Sequence, residues 1–288
     1  MAAGDLITLP YQFEFNNLLF GDQSSYDISG IDGLDLMAVR EGDVKKPLDH
    51  GSFDLTPDLM STRTVIMRAN IITSDPNAIV NLRTATSLFE SYEPQLIPLV
   101  FQLLDGVKKR VNCRVRRRAL PIDRDFALGY GNFTLMFWCP DPRIYENVLN
   151  TATAGLAVEG TGFAFDMLFD LSFGGSVGGG TLATCNNIGD ITTPPVVTLT
   201  GPLTAPQLQN QTTGETWKST IALGSGEVLT VDFAARTVML GTATRYSTLT
   251  ADSIWWMLRP GVNVVRLSAS SGSGTANIAW RSAWHAAV

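Results

Sequence analysis

The chain has 288 residues, 45% of them hydrophobic and 17% charged, with a mean hydropathy of +0.11. This length supports one large core or two modest ones, and two domains is the expected division. The net charge of −6 and pI of about 4.9 give a field that repels nucleic acid and anionic membranes, and three cysteines without CxxC or Cys/His spacing argue against a disulfide framework and a zinc site.

Frequent Gly, Thr and Val, with few Lys and Glu, favour strands and turns, so the expected class is all-β. The odd cysteine count implies folding in a reducing compartment. No stretch approaches about 18 uninterrupted apolar residues, and the first residues lack a basic region followed by an apolar core. Neither a membrane span nor a signal peptide is expected.

Residues 11–20 form an aromatic and apolar strand candidate, and residues 21–33, rich in Asp, Ser and Gly, read as turns. Residues 34–39 suggest a second strand. Residues 40–62 mix Asp, Lys and Pro with little periodicity, an extended arm whose backbone needs partners. Val65, Met67, Ala69 and Ile71 then alternate with more polar positions, the period of a half-buried strand. Ser74-Asp75-Pro76 supplies a cap and a first-turn proline, so a helix is expected over 76–92. Its stripe is Ile79, Leu82 and Phe89, and it is the one helix expected in the chain.

Residues 99–104, Asp105-Gly106 and residues 107–118 form a hairpin signal, with Asp-Gly suited to a tight type I′ turn. In the second strand Val111, Cys113 and Val115 face one way and Arg110, Asn112, Arg114, Arg116 and Arg118 the other. Phe133, Leu135 and Phe137 alternate again, and two prolines, Pro140 and Pro142, end that strand. The first domain is set at residues 1–150 and the second at 151–288. Residues 151–190 contain nine glycines and no Lys or Arg, yet Phe163 to Phe173 alternate strictly, so a strand is expected with a Gly-rich loop at 174–180. Short strands follow at 196–200, 207–210, 217–223, 228–233, 237–240, 261–267 and 276–284, the spacing of a β-sandwich.

The phrases Asn187 to Pro195, Gly201-Pro202, Asn210 with Thr213-Gly214, Gly226-Glu227 to Asp232, Arg236-Thr237-Val238 and Trp256 to Asn263 occur in this order. With Thr62-Arg63, the Asp105-Gly106 hairpin and Pro140 to Tyr145, they make most of the chain resemble the distal tail protein of long-tailed, non-contractile phages, called a minor tail protein in actinophages. The resemblance implies two β-sandwich or barrel domains. The first would form a six-membered ring at the end of the tail tube, and the second, galectin-like, would project outward. The implied partners are further copies of the chain in a homohexamer, the tail tube protein, the tail-tip hub or baseplate and the tape measure protein. Genomic DNA would pass only in transit through the bore, and no membrane is involved. The expected location is the virion tail tip, after synthesis in the host cytoplasm.

The charge distribution fits self-association. Residues 1–60 carry eleven acids against three bases, whereas residues 108–118 carry seven bases and no acid. The candidate subunit interface therefore sets Arg110, Arg114, Arg116 and Arg118 against Asp43, Asp49, Asp54 and Asp58 of the same or a neighbouring copy, the alternative being a solvated strand face. Exposed pairs contribute about 0–1 kcal/mol each, so several are needed to set register. The two histidines, His50 and His285, lie in no catalytic motif, and GxSxG and HExxH are absent. No catalytic, cofactor-binding or metal residues are expected, and no enzyme activity. The alternative function is a carbohydrate-binding host-recognition module, with Trp255 and Trp256 as candidate sugar contacts, one of the two being buried because neighbouring strand residues point to opposite faces.

Overall fold

The computed structural model describes residues 2–35, 38–40, 44–47, 50, 52–53, 59–72, 76–86, 95–122, 124, 131–156 and 182–287. Almost all regular structure is β, arranged in several sheets with one α-helix among the described residues. The chain forms two compact units, Met1–Val148 with Trp284–Val288, and Leu149–Ala283. The first unit is left after residue 148, and residues 284–288 return to it.

The first unit contains β1 (Gln12–Phe15), β2 (Leu18–Phe20), β3 (Tyr26–Asp32), β4 (Val39–Arg40), β5 (Val44–Lys45), β6 (Ser52–Phe53), β7 (Leu59–Met60), β8 (Arg63–Ile71), α1 (Pro76–Ala85), β9 (Ile97–Gln102), β10 (Lys108–Ala119), β11 (Gly131–Cys139) and β12 (Ile144–Glu146). Its main sheet runs β2-β1-β9-β10-β11-β8-β3, with β12 beside the first half of β10. The end strands β2 and β3 are not hydrogen-bonded to each other, so this is an open sheet rather than a closed barrel. The sheet rolls until Phe20 of β2 meets Tyr26 of β3 at 5.3 Å between ring centroids.

The core lies on the concave side. Val65, Met67, Ala69 and Ile71 of β8 and Phe133, Leu135 and Phe137 of β11 are all buried, as their alternation predicts. The aromatic run at 11–20 is two strands rather than one, because Asn16 and Asn17 adopt φ of 50° and 61° and close a two-residue hairpin between Phe15 and Leu18. The turn expected over 21–33 contains β3, which pairs with β8 from Tyr26↔Ile71 to Asp32↔Ile66. Its Asp, Ser and Gly residues conceal the strand, since an edge strand tolerates polar residues on its outer face. Gly33 ends it at φ 90°, where a Cβ would collide with the Thr64 carbonyl. Of the strand expected at 34–39, Leu34 and Asp35 form a bend, residues 36–37 lie outside the described residues and Val39 begins β4; the arm has ladders of its own, β4 with β7 and β5 with β6.

Helix α1 buries Ala78 and Leu82 against this core, and Tyr26 donates to the Ala78 carbonyl. Phe89 and the rest of the expected helix lie outside the described residues. The β9–β10 connection is a five-residue loop, 103–107, rather than a two-residue type I′ turn. Gln102 pairs with Lys108, Gly106 donates to the Leu103 carbonyl, and only Gly106 takes positive φ.

The second unit consists of β13 (Asn150–Gly155), β14 (Ala183–Asn187), β15 (Val196–Thr200), β16 (Leu203–Thr204), β17 (Gln207–Asn210), β18 (Thr216–Lys218), β19 (Ala222–Leu223), β20 (Val228–Asp232), β21 (Thr237–Leu240), β22 (Ala243–Thr244), β23 (Gly261–Ser268), β24 (Ser271–Gly272) and β25 (Thr275–Trp280). β26 (Ala283–Trp284) carries the chain back to the first unit and pairs with β12. Two sheets, β13-β25-β15-β20-β21-β22 and β14-β23-β17-β18, enclose one core, with a small sheet β19-β16-β24. Trp217 and Trp256 are the largest side chains buried in it. The strand and Gly-rich loop expected at 163–180 lie outside the described residues.

Two cations explain the return of the last residues. Arg63, 3% exposed, donates from Nε to the Pro142 carbonyl, from Nη1 to the Gly33 and Leu34 carbonyls, and from Nη2 to the His285 carbonyl. Lys109 donates to the Ala287 carbonyl, pairs with Asp105 at 2.8 Å and sits 5.0 Å from the Trp284 ring centroid. Ala287 in turn donates to the Leu34 carbonyl. A buried guanidinium is costly unless its donors are satisfied, so distant carbonyls are drawn to one point.

Replacing Arg63 with Ala leaves those carbonyls without their donor and is expected to cost about 2–4 kcal/mol of first-unit stability. Urea unfolding followed by a first-unit probe checks this, and a loss below about 0.5 kcal/mol would show that the cluster is not a structural tie. Cys113, Cys139 and Cys185 are fully buried, and burial pushes the Cys113 thiol well up and the Cys185 thiol to about 12. Because the thiolate is the reactive form, a disulfide-exchange reagent at pH 8 should label none of the three in the native protein and all three in denaturant. Rapid native labelling would contradict that burial.

Candidate assembly surfaces

The basic strand β10 does not present its cations on one face. Its first half pairs with β9 and β12 and its second half with β11, and the register with β11 jumps from Val115↔Phe137 to Arg117↔Met136. The bulge at Arg116 breaks the alternation expected for Arg110, Arg114, Arg116 and Arg118, since one extra residue moves everything after it to the other side. Arg114 stays on the outer face opposite Trp138, Arg117 takes the outer position beyond the bulge, and Arg118 turns toward α1.

Most of the cations acquire a local task, Arg117 excepted. Lys108 donates to the Gly4 carbonyl, Lys109 joins the cluster with Ala287, and Arg110 donates to the Asn112 side chain. Arg118 donates to the Arg83 carbonyl and Thr86 Oγ1 at the C-terminal end of α1, where helix carbonyls lack intrahelical donors and the dipole favours a cation. Arg114 and Arg116 lie 4.7 and 4.3 Å from the ring centroid of half-buried Trp138, a double cation–π contact. Arg116 and Arg117 are exposed, and no ion pair among the described residues engages Arg114, Arg116 or Arg117. Asp43, Asp49, Asp54 and Asp58, their expected counterparts, lie outside the described residues.

On the far side of the rolled sheet, where its ends approach, a groove of about 580 Å³ opens between β1 and β3. Tyr11, Ile31 and Leu103 contribute apolar surface, and Asp22, Asp27 and Asp35 are exposed along it. Asp32 also lines it but is paired with Arg68 at 2.7 Å. Composition alone hides this groove, because Leu103 and Ala287 come from parts of the sequence far from β1 and β3 and meet them only in the folded sheet.

In the second unit the Trp255-Trp256 pair divides by environment. Trp256 is 1% exposed and donates its indole N–H to the Leu208 carbonyl, so it has no face for a sugar and is withdrawn as a candidate contact. Trp255 is half-buried, edge-on to Phe233 and nearly parallel to the ring of Tyr246, which is 53% exposed. The neighbouring Lys218 ammonium hydrogen-bonds the Asp252 carboxylate and lowers its pKa to about 2.

The asparagines of the ordered phrases act as backbone braces. Asn263 accepts from the Arg259 N–H and donates to the Arg259 and Gly261 carbonyls, while Asn187 accepts from the Gly189 and Ala283 N–H groups and donates to the Ile191 carbonyl. Asn210 accepts from the Thr212 N–H. All three are fully buried, and these backbone hydrogen bonds satisfy their side-chain amides there. Similarly, Asp141 accepts from Tyr145 and Arg143, and burial, aided by this carboxylate, raises the Tyr145 pKa. Among the described residues, no three His, Cys, Asp or Glu side chains are placed to hold a metal.

Residues 188–284 match the family model of the siphovirus-type tail component, C-terminal domain. The structure of SPP1 Dit (gp 19.1), described as a paradigm of the hub adsorption apparatus in Gram-positive infecting phages, aligns with a TM-score of 0.61 at 15% identity, covering 94% of this chain and 98% of that one. A chain of the phage P2 baseplate, in its activated conformation with Ca, aligns with a TM-score of 0.54 at 8% identity, covering 94% and 97%. No curated protein sequence matches. The chain therefore has the fold of the distal tail protein, and its residues 188–284 are similar to the C-terminal domain of siphovirus-type tail components.

Proposed function

We propose that this protein is a structural part of the phage tail tip, a homohexameric ring that joins the tail tube to the tip hub or baseplate and lets DNA pass through its bore. The observation that carries this reading is a distal-tail-protein fold across 94% of the chain, together with the tail-component match at 188–284. The first unit would form the ring, with the second as a galectin-like sandwich. Its partners would be further copies, the tail tube protein, the hub and the tape measure protein. It would be made in the host cytoplasm and would act without catalysis or a cofactor.

The reading agrees with how the side chains are used. Most cations of β10 engage carbonyls, a helix end or a tryptophan ring, and among the described residues no row of exposed aromatics is interleaved with them for stacking bases. A bore that passes DNA needs to avoid holding it, since each phosphate neutralised adds salt-dependent affinity.

Native mass spectrometry of the purified protein should give a species of six times the 31.2 kDa chain mass. A monomer at every concentration, alone and with other tail components, would refute the ring.

The exposed ring of Tyr246, nearly parallel to that of Trp255, favours a second reading, carbohydrate contact on the host surface. Glycan-array binding that disappears in Trp255→Ala and persists in Trp138→Ala would support it. No binding by the wild-type protein to any glycan or cell-wall fraction would remove it.

A further inference from the structure

We propose that the groove between β1 and β3 receives the Arg116, Arg117 and Trp138 ridge of a second copy of this chain. The inference rests on the ring reading and names the surfaces through which its subunits would meet.

The groove has the character of an acceptor. Its volume of about 580 Å³ and its apolar surface from Tyr11, Ile31 and Leu103 suit a large side chain. Asp22, Asp27 and Asp35 are exposed along it and form no ion pair among the described residues. Three like charges around one concavity repel one another, and a cationic occupant turns that repulsion into attraction.

The free edge of β3 raises strand addition as a rival mode of docking. Against it stands the bulge between Ile28 and Gly30, which kinks the edge, and the acidic side chains along it, both devices that discourage a continuing ladder. A ridge of side chains needs no such ladder.

The ridge has the matching chemistry. Arg114 and Arg116 hold the Trp138 ring in place, while exposed Arg117 stands beside it opposite Met136. Arginine and tryptophan are the residue types that most often dominate interface energies, and a guanidinium already ordered on a ring loses less freedom on binding. No carboxylate among the described residues pairs with these arginines.

Topology keeps the two surfaces apart within one copy. β10 and β11 lie in the middle of the sheet order, whereas the groove is made where the ends of the sheet approach each other. Two different surfaces that complement each other generate a head-to-tail contact, which repeats from copy to copy and closes into a ring when the rotation permits.

The test uses two full-length variants, one groove-reversed (Asp22→Lys with Asp27→Lys) and one ridge-reversed (Arg116→Glu with Arg117→Glu), with wild type as reference in sedimentation equilibrium. Wild type should assemble, and each variant alone should associate at least about ten-fold more weakly, because each sets like charges against each other. An equimolar mixture should regain assembly, since every contact in an alternating ring again pairs opposite charges. Should either reversal lower the melting temperature, the milder Asp27→Asn and Arg117→Gln each replace an exposed residue and should weaken association about three-fold or more. Unchanged association of the variants beside an assembling wild type would overturn the inference and leave the ring reading intact, as would a mixture that stays dissociated. Variants that assemble normally but no longer bind another tail protein would assign the groove to that protein instead. A wild type that never assembles would fail the ring reading itself.

Discussion

The rest of the structure depends on the buried Arg63 guanidinium. It is the first residue of β8, and its donors reach carbonyls at residues 33, 34, 142 and 285, so one side chain ties the end of β3, the turn before β12 and the returning last segment. Leaving such a group unpaired would cost several kcal/mol, more than most single contacts supply, which makes the convergence obligatory once Arg63 is enclosed. Lys109 adds a second tie to the same segment through Ala287. The second unit is consequently an insertion in the chain of the first, leaving at residue 148 and returning at 284.

From that tie follows the geometry of the surfaces. Leu34 and Ala287, fixed by the Arg63 and Lys109 contacts, line the groove beside β3. In β10 the bulge at Arg116 sorts a run of similar cations into different tasks: before it they brace the N-terminal residues and the returning segment, at it they clasp Trp138, and after it Arg118 reaches the end of α1. A single extra residue thus turns one strand from a uniform basic stripe into a brace and a ridge.

Much of the fold was legible because alternation reports one-sided burial directly. The strands β8 and β11 appear where period-two patterns place them, β15, β17 and β21 where closely spaced short strands are expected, and the β23 phrase carries a buried Asn263 that braces its own turn. What escaped did so for identifiable reasons. β3 is an edge strand whose polar residues mimic a turn, and the Asn16-Asn17 hairpin hides within an aromatic run because asparagine tolerates positive φ without glycine. The Arg63–His285 contact spans 222 positions, and no local pattern encodes it. On the assembly side, the concentration of cations at 108–118 was visible, but a bulge leaves no signature in alternation until the partner strand is known. The groove acids Asp22, Asp27 and Asp35 belong to the acid-rich first sixty residues, yet their meeting with Leu103 requires the rolled sheet.

The central claim is that this chain builds a tail structure by recognising copies of itself through its first unit. An electron-microscopy reconstruction of the purified assembly tests it most directly. The account predicts a closed ring of six copies around an open bore, with first units touching through the β1–β3 groove and the Trp138 ridge. An assembly whose first units do not touch, or isolated single chains under all conditions, would contradict it.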